Sequence, residues 1–255
     1  MSDPVRNSHR VLVVLPTYNE ADNVLELAGL VLVQHPSIEV LVVDDNSPDG
    51  TGQLVETAMM SEPRIHLLKR AGKLGLGTAY LAGFRYGLEH GFDRVFTMDC
   101  DFSHNPKYLP AMLAAMATHD VVVGSRYVQG GGIENWPLHR RLLSKFANFY
   151  ARSLLRLTVR DCTAGYRGYS REVLETVDPF AIRSSGYSFL EEMAWRVTHC
   201  GFSIGEIPIV FEQRKAGASK IESREIYLAA WYVLTTAVRP PALPKRRPAG
   251  QSRAS

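Results

Sequence analysis

The sequence of 255 residues predicts an α/β fold with a mostly parallel sheet and helices on both of its faces. Two apolar runs, "RVLVVLP" at 10–16 and "IEVLVVDD" at 38–45, are continuous rather than alternating, as in strands covered on both sides. Between them, the segment 20–34 has apolar residues at helical spacing. Strand and helix segments continue to alternate up to residue 126, which is typical of consecutive βαβ units.

The elements after the second strand are predicted in the same way. The turn "NSPDGTG", which contains Asp49 and Gly50, leads into a helix that begins with "TGQLVETAMM". The further predicted elements are a strand at 64–70, a helix over "TAYLAGFRYGLEHG" after the turn "AGKLGLG", a strand at 93–99, a helix at 107–118 and a strand at 120–126.

The chain is long enough, with 45% hydrophobic residues, to bury the core of one large domain, which we place at residues 10–238. Residues 1–9 are interpreted as an N-terminal tail. Residues 239–255 are rich in proline and basic side chains and predict a disordered basic tail.

Composition limits the class of protein. A net charge of +3 is too small to indicate a nucleic-acid partner. The three cysteines (Cys100, Cys162 and Cys200) are far apart and odd in number, which indicates a reducing compartment and no disulfide framework. No apolar run reaches the length of about 18 residues that a membrane span needs, and "MSDPVRNSHR" has no signal-peptide core. We therefore expect a soluble or peripheral protein on the cytoplasmic side of a membrane.

Polar motifs follow five of the predicted strands. Because ligands bind beyond the carboxyl ends of strands in open parallel sheets, we expect these motifs to meet at one rim. The motifs are "PTYNE" (16–20), "DDNSPDG" (44–50), "KLGLG" (73–77), "DCD" (99–101) and "GSRY" (124–127). The charged side chains that they bring to this rim are Glu20, Asp44, Asp45, Asp49, Asp99, Asp101, Lys73 and Arg126.

The pair Asp99 and Asp101 predicts a metal site. In an extended segment residues i and i+2 point the same way, so two carboxylates would repel each other unless water or a cation lies between them. Mg²⁺ or Mn²⁺ prefers oxygen ligands and commonly joins one or two carboxylates to substrate phosphates. A polar strand end leading into a loop is the alternative. No His and Cys residues have the spacing of a zinc site.

Two other nucleotide-binding classes are disfavoured. A dinucleotide-dependent dehydrogenase needs a glycine-rich turn after its first strand, whereas this turn reads "PTYNEADN" and contains no glycine. The sequence also lacks the glycine-rich loop with Lys and Ser or Thr that identifies P-loop NTPases.

The motifs "PTYNE", "VVDDNSPDGT", "KLGLGTAY", "MDCDFSHNP" and "GSRY", in this order, resemble family 2 glycosyltransferases with the GT-A fold. They are most similar to the dolichol-phosphate (polyprenol-phosphate) mannose synthases. The similarity continues through "DCTAGYRGYSREVL" (161–174) and "GFSIGEIPIVFEQRKAGASKI" (201–221), and covers roughly residues 10–225. The resemblance implies a GT-A catalytic domain with a Rossmann-like nucleotide-binding half.

The resemblance also implies roles for particular residues. Asp99 and Asp101 would hold Mg²⁺ or Mn²⁺ on the donor diphosphate, and Asp101 and Arg126 would be the catalytic residues. The implied donor-binding residues are Pro16, Tyr18, Glu20, Val43, Asp45, Asp99, Cys100, Asp101, Arg126, Arg214 and Lys220.

Four further residues are given no firm role in binding or catalysis. Some relatives carry a Gln metal ligand where Ser103 stands, so water is expected to complete the metal shell. Asp161 and Asp178 are interpreted as turn or helix-start residues. His104 is as consistent with a structural role as with a catalytic one.

The segment 138–159, "LHRRLLSKFANFYARSLLRLTV", combines helically spaced apolar residues with five basic residues and no acid. This basic amphipathic pattern predicts a helix on an anionic membrane surface, the alternative being a helix packed on the domain. The resemblance implies that Arg140 and Ser144, together with Arg126, bind a lipid phosphate. Many relatives carry C-terminal transmembrane helices. Without them we expect attachment through this segment, the basic tail or a separate membrane-anchoring subunit, while 226–238 could dock on such a partner or complete the core.

The expected reaction is transfer of mannose from GDP-mannose to a polyprenyl phosphate, with inversion at the anomeric carbon. A phosphate monoester is already largely ionised at neutral pH, so no strong general base is required. A UDP-glucose-dependent glucosyltransferase with the same type of acceptor is the nearest alternative. A non-catalytic, nucleotide-binding protein at membranes is the second, and Asp99, Asp101, Arg126 and Arg214 argue against it.

Overall fold

Strands and helices alternate along the first half of the chain, as the sequence predicts. The computed structural model describes residues 9–182, 184, 187–212 and 223–244. Its strands are β1 (Val11–Thr17), β2 (Ile38–Asp44), β3 (Ile65–Lys69), β4 (Arg94–Thr97), β5 (Val121–Ser125), β6 (Gly132–Ile133), β7 (Arg167–Ser170), β8 (Ile204–Pro208) and β9 (Val210–Phe211). Its α-helices are α1 (Val24–Leu32), α2 (Thr51–Met59), α3 (Leu76–Glu89), α4 (Leu109–Ala115), α5 (Leu138–Leu155), α6 (Arg171–Val177), α7 (Tyr187–His199) and α8 (Ser223–Val238).

A seven-stranded sheet has the order β3-β2-β1-β4-β7-β5-β8. Every neighbouring pair is parallel except the two that involve β7, which runs antiparallel to both β4 and β5. The predicted, mostly parallel sheet is therefore confirmed. Because β7 is reversed, the loop before it (residues 161–166) reaches the same edge as the carboxyl ends of β1, β4 and β5. At this edge β6 and β9 form a second, two-stranded sheet.

The core has two layers, one on each face of the sheet. Leu12 and Val14 of β1 belong to one buried cluster, and Val13 and Leu15 belong to the other. Successive side chains of a strand point to opposite faces, so helices on both faces explain the continuous apolar runs. Helix α3 approaches β1 closely at Gly83, where a Cβ atom would lie 2.5 Å from Val14 Cγ1.

The structure differs from the prediction where β4 ends. The strand stops at Thr97 rather than at residue 99, and a 3₁₀ helix, Pro106–Tyr108, precedes α4. Asp99 and Asp101 therefore lie in a loop, and strand alternation does not decide where they point. Phe102 in the same loop has a φ of 62°, so the chain turns sharply after the second aspartate.

The C-terminal region also differs from the prediction. Residues 239–244, which we expected to belong to the disordered tail, are described, and Leu243 packs against the core. Residues 245–255 lie outside the described part of the chain. Within the described residues, no helix has both the length and the apolar character needed to span a membrane.

Candidate functional site

The loops after β1 and β2 are tied together by two aspartates of the rim. Asp44 accepts hydrogen bonds from Thr17 Oγ1 at 3.0 Å and from Ser47 Oγ at 2.5 Å. Asp49 accepts from the Ala21 amide at 3.0 Å and from Thr51 Oγ1 at 2.6 Å. Burial opposes ionisation of Asp49, but these hydrogen bonds outweigh it and lower its pKa. The buried Asp44 and the exposed Asp49 thus both connect the loop after β1 to the loop after β2.

The residues predicted to cradle a nucleoside lie at the end of β1. The ammonium group of Lys73 is 5.0 Å from the ring centroid of Tyr18, a cation–π distance. Pro16 is partly buried in β1, and Glu20 Oε2 accepts a hydrogen bond of 2.8 Å from Asn23 Nδ2. An aromatic face and a cation are therefore presented together at this corner.

Asp45 and Val43 lie deeper than the prediction implies. Asp45 forms a buried ion pair with Arg70, and it accepts a hydrogen bond of 3.2 Å from the Leu74 amide. Val43 is fully buried in the core, so its side chain supports the rim from below instead of facing a ligand. The Asp45–Arg70 pair fixes the glycine-rich loop after β3 against the end of β2.

Asp99 is oriented from two sides. The hydroxyl of Tyr80, fully buried on α3, donates to Asp99 Oδ1 at 3.0 Å. The Asp99 amide donates to His104 Nδ1 at 3.1 Å, so Nδ1 is an acceptor and its 3.8 Å approach to Asp99 Oδ2 is not an ion pair. Burial and the Asp99 charge raise the pKa of Tyr80 well above its ordinary value, which keeps the hydroxyl a donor.

Asp101 is held by its own loop. The Ser103 amide and hydroxyl donate to Asp101 Oδ1 at 3.0 and 2.5 Å, and both residues are buried. The Ser103 hydroxyl therefore orients the carboxylate. Burial and the nearby charges of Glu20, Asp101 and Asp99 raise the pKa of the Cys100 thiol well above its ordinary value, which disfavours a nucleophilic thiolate.

The donor set at this loop fits a hard divalent cation. Among the described residues, no three His, Cys, Asp or Glu side chains cluster closely enough to hold a metal ion by themselves. Mg²⁺ and Mn²⁺ commonly bind through one or two carboxylates, with phosphate and water completing the shell. Asp99 and Asp101 match that arrangement, and they do not match a closed structural site.

Arg126, at the end of β5, is clamped by Asp161. Its Nε and Nη2 donate to the two carboxylate oxygens at 2.7 and 2.6 Å, and its amide donates to Oδ2 at 3.0 Å. The Asp161 side chain is 0% exposed. Burial alone would raise the pKa of Asp161, but the charge and hydrogen bonds of Arg126 lower it. Asp161 does stand directly before a turn at residues 162–163, but its ion pair with Arg126 was not predicted from the sequence.

A cluster of aromatic rings lies between Arg126 and the loop that carries Asp99 and Asp101. The rings of Trp136 and Phe211 lie 5.9 and 5.6 Å from the Arg126 guanidinium, and Phe211 lies 5.4 Å from the His104 ring. Arg140 stacks on Trp136, with its guanidinium 3.8 Å from the centroid of the Trp136 ring. The structure thus brings the predicted acceptor arginines next to the loop that carries Asp99 and Asp101.

Ser144 lies one helical turn from Arg140 on α5. Its hydroxyl oxygen accepts a hydrogen bond of 2.7 Å from the hydroxyl of Tyr127, the residue after Arg126. A serine hydroxyl has one donor and two acceptor positions, so this contact leaves it able to bind a phosphate oxygen. Tyr127 and Trp136 were not singled out from the sequence, because single aromatic residues carry no local signal of such a site.

Two predicted donor-binding residues, Arg214 and Lys220, lie outside the described residues. Asp178 ends α6 with a φ of 47°, which confirms its interpretation as a turn residue. The partner of Asp161 had no signal in the sequence, because its burial and its contact with Arg126, 35 residues away, appear only in the fold.

Comparison with known proteins identifies the family. The model of glycosyl transferase family 2 matches residues 12–178, more than half of the chain. The chain belongs to glycosyltransferase family 2. It is 46% identical over 237 residues to the polyprenol monophosphomannose synthase of Mycolicibacterium smegmatis, covering 92% of this chain and 89% of that protein. It is also 46% identical over 212 residues to the undecaprenyl-phosphate mannosyltransferase of Micrococcus luteus, covering 83% of this chain and 87% of that protein.

Solved glycosyltransferase structures share the fold of this family member. The glucosyl-3-phosphoglycerate synthase of Mycobacterium tuberculosis, in complex with Mn²⁺, UDP and glucosyl-3-phosphoglycerate, aligns with a TM-score of 0.64 and 18% identity over 92% of this chain and 82% of that one. A mannosyltransferase from Pyrobaculum calidifontis, in complex with GDP-Man and Mn²⁺, aligns with a TM-score of 0.60 and 18% identity over 94% of this chain and 67% of that one. The predicted GT-A fold is confirmed.

Proposed function

We propose that this glycosyltransferase moves mannose from GDP-mannose to a polyprenyl phosphate with inversion, giving polyprenyl phosphate β-mannose and GDP. One observation carries the proposal. The carboxylates of the 99–101 loop and the arginines Arg126 and Arg140 are joined through the rings of His104, Phe211 and Trp136. Transfer of a sugar from a diphosphate donor to a phosphate acceptor needs carboxylates that can hold a metal and arginines that can bind phosphate. The names of the two relatives at 46% identity support the same acceptor class.

On the donor side, Asp99 and Asp101 would hold the metal, and Tyr80 and Ser103 would keep these carboxylates oriented. When bound, Mg²⁺ or Mn²⁺ supplies positive charge that offsets the charge developing on the leaving diphosphate. The residues that would bind the nucleotide and sugar are Pro16, Tyr18, Glu20, Asp45, the backbone near Val43 and Cys100, Arg214 and Lys220.

On the acceptor side, Arg126, Arg140 and Ser144 would bind the phosphate. An ionised phosphate oxygen attacks the anomeric carbon while the bond from that carbon to the diphosphate oxygen breaks on the opposite face. The electron pair of the broken bond leaves with GDP. Because the acceptor's second pKa is near 6, catalysis rests on positioning and charge stabilisation, with no general base.

The outer faces of α5 and α8 support a membrane-bound acceptor. Phe149 on α5 is 66% exposed and Trp231 on α8 is 65% exposed, and the helices meet where Tyr150 donates to the Ala230 carbonyl at 3.2 Å. Basic side chains flank the apolar face of α5, as in helices that lie on anionic lipid. Val233 of α8 is buried, so the 226–238 segment both completes the core and exposes an apolar face. We propose peripheral attachment through these helices on the cytoplasmic face of a membrane, with a separate anchoring subunit as the alternative.

The test is transfer of labelled mannose to an organic-extractable product, using purified protein, polyprenyl phosphate, and Mg²⁺, Mn²⁺ or EDTA. UDP-glucose is run in parallel, and Asp101→Asn is the matched inactive control. Product from GDP-mannose alone, abolished by EDTA and by the substitution, supports the proposal. Product from UDP-glucose alone would show that the proposed donor is wrong, whereas the proposed acceptor class would stand. No product from either donor, also with added membranes, favours a non-catalytic nucleotide-binding protein.

A further inference from the structure

We propose that Thr163 and Asn148 are positioning residues that lock the Arg126 guanidinium to helix α5. Arg126 and the acceptor residues of α5 are thereby presented to the acceptor phosphate as one unit. This inference deepens the proposed function and rests on it for the identity of the acceptor.

Thr163 is the second anchor of the arginine. Its Oγ1 accepts a hydrogen bond of 2.8 Å from Arg126 Nη2, the same nitrogen that donates to Asp161 Oδ1. A planar guanidinium held at Nε and Nη2 by three acceptor atoms has its plane fixed as well as its position. Thr163 lies in the loop before β7, which the reversal of that strand brings to the rim.

Asn148 joins this loop to α5. Its side chain is buried, Oδ1 accepts from the Cys162 amide at 2.8 Å, and Nδ2 donates to Thr163 Oγ1 at 3.2 Å. Nδ2 also donates to the Ser144 carbonyl at 2.9 Å, one turn earlier on the helix. A single amide therefore binds both the loop that holds Arg126 and the turn that carries Ser144.

The connection has a catalytic consequence. Without a general base, the rate depends on holding the acceptor phosphate in line with the anomeric carbon, and a displacement of about 1 Å can reduce the rate about 100-fold. Arg126 lies on β5, whereas Arg140 and Ser144 lie on α5. The Thr163–Asn148 bridge connects the Arg126 guanidinium to α5 through hydrogen bonds, in addition to the contact between Tyr127 and Ser144.

The experiment compares Thr163→Val with Thr163→Ser. Valine has nearly the same volume but no hydroxyl, whereas serine keeps the hydroxyl. Thr118→Val, beyond the end of α4, is the control for a threonine outside the network. We expect Thr163→Val to raise the KM for polyprenyl phosphate about tenfold, the effect of losing a hydrogen bond to a charged group. The melting temperature should also fall, because the hydroxyl bonds both Arg126 and Asn148 in the fold. GDP-mannose affinity should change less than the acceptor KM, and serine should restore the wild-type value of all three.

A second measurement does not depend on activity. In the wild type, the Nε–H proton of Arg126 should exchange slowly with solvent in an NMR spectrum, with the signal assigned by its loss in Arg126→Lys. Thr163→Val should accelerate that exchange, and Thr163→Ser should not. If the wild type makes no lipid product, the proposed function fails while the exchange data still test the lock. Unchanged exchange and unchanged acceptor KM in Thr163→Val would overturn the inference, as would equal losses of donor and acceptor binding.

Discussion

Arg126 and Asp161 form a buried, two-pronged ion pair across 35 residues of sequence, with nitrogen–oxygen distances of 2.7 and 2.6 Å. The pair connects the end of β5 to the loop before β7. It therefore holds in place the arginine that we propose to contact the phosphates.

Asp161→Asn should lower the free energy of unfolding by about 3–5 kcal/mol, because it leaves the Arg126 charge buried without its partner. The measurement is urea denaturation at pH 7. The matched control is Glu175→Gln in the exposed pair of Arg171 and Glu175, whose nitrogen–oxygen distance is 2.8 Å. Exposed pairs contribute about 0–1 kcal/mol. Equal effects of the two substitutions would contradict a special role for the buried pair.

Glu191 predicts an unusual dependence of stability on pH. It is buried on α7, and burial raises its pKa to about 8, against the opposing effect of Arg167. The unfolded chain ionises this residue near its ordinary pKa of about 4.5, whereas the folded chain keeps it protonated up to about pH 8. The contribution of protonated Glu191 to the free energy of unfolding is therefore complete below about pH 4, and it is lost as the pH rises to about 8.

Urea denaturation between pH 4 and pH 9 checks this dependence. Glu191→Gln should give a flatter stability profile and should be more stable than the wild type at pH 8. Parallel profiles for the two proteins would show that Glu191 ionises normally in the fold.

Tyr80→Phe should weaken metal binding without touching a ligand. The hydroxyl that it removes donates to Asp99 Oδ1, and loss of such supporting hydrogen bonds typically costs about 10–100-fold in metal affinity. Mn²⁺ binding in the presence of GDP, followed by electron paramagnetic resonance, measures the effect. Tyr86→Phe, further along the same helix, should bind Mn²⁺ like the wild type. An unchanged affinity in Tyr80→Phe would remove the proposed role of this hydroxyl.

Arg140→Ala should weaken use of the acceptor more than binding of the donor. Its guanidinium stacks on Trp136 beside Arg126, and removing it deletes one of the two described arginines that we propose to bind the acceptor phosphate. We expect the KM for polyprenyl phosphate to rise about tenfold or more, with GDP-mannose affinity within about twofold. Lys145→Ala, an exposed basic residue on the same helix, is the control. Equal loss of donor and acceptor binding would refute this division of roles.

Phe149→Glu and Trp231→Glu should reduce sedimentation of the protein with vesicles that contain anionic lipid. Each replaces an exposed apolar side chain, one on α5 and one on α8, by a charge of the same sign as the lipid. Met60→Glu, an exposed apolar residue at the end of α2, is the control and should bind vesicles like the wild type. Normal binding of both helix variants would favour attachment through another subunit.

Periodicity and motif order in the sequence determined much of this protein. Continuous apolar runs require cover on both faces, so the parallel sheet and the strand ends that carry Tyr18, Asp99 and Arg126 followed from local patterns. The amphipathic pattern likewise located α5 with Arg140 and Ser144. These features are readable because each depends on residues that are neighbours in sequence or at a fixed helical spacing.

The tertiary structure alone decided what each site residue contacts. The reversal of β7 brings Asp161 and Thr163 to Arg126. Because β4 ends early, the orientation of Asp99 is set by its hydrogen bond from Tyr80 and not by strand alternation. The ion pair of Asp161 was missed because its partner is 35 positions away, and no local pattern records a contact at that separation. Burial and strand direction are set by the packing of the whole chain, so the charge pairs that depend on them became visible only in the fold.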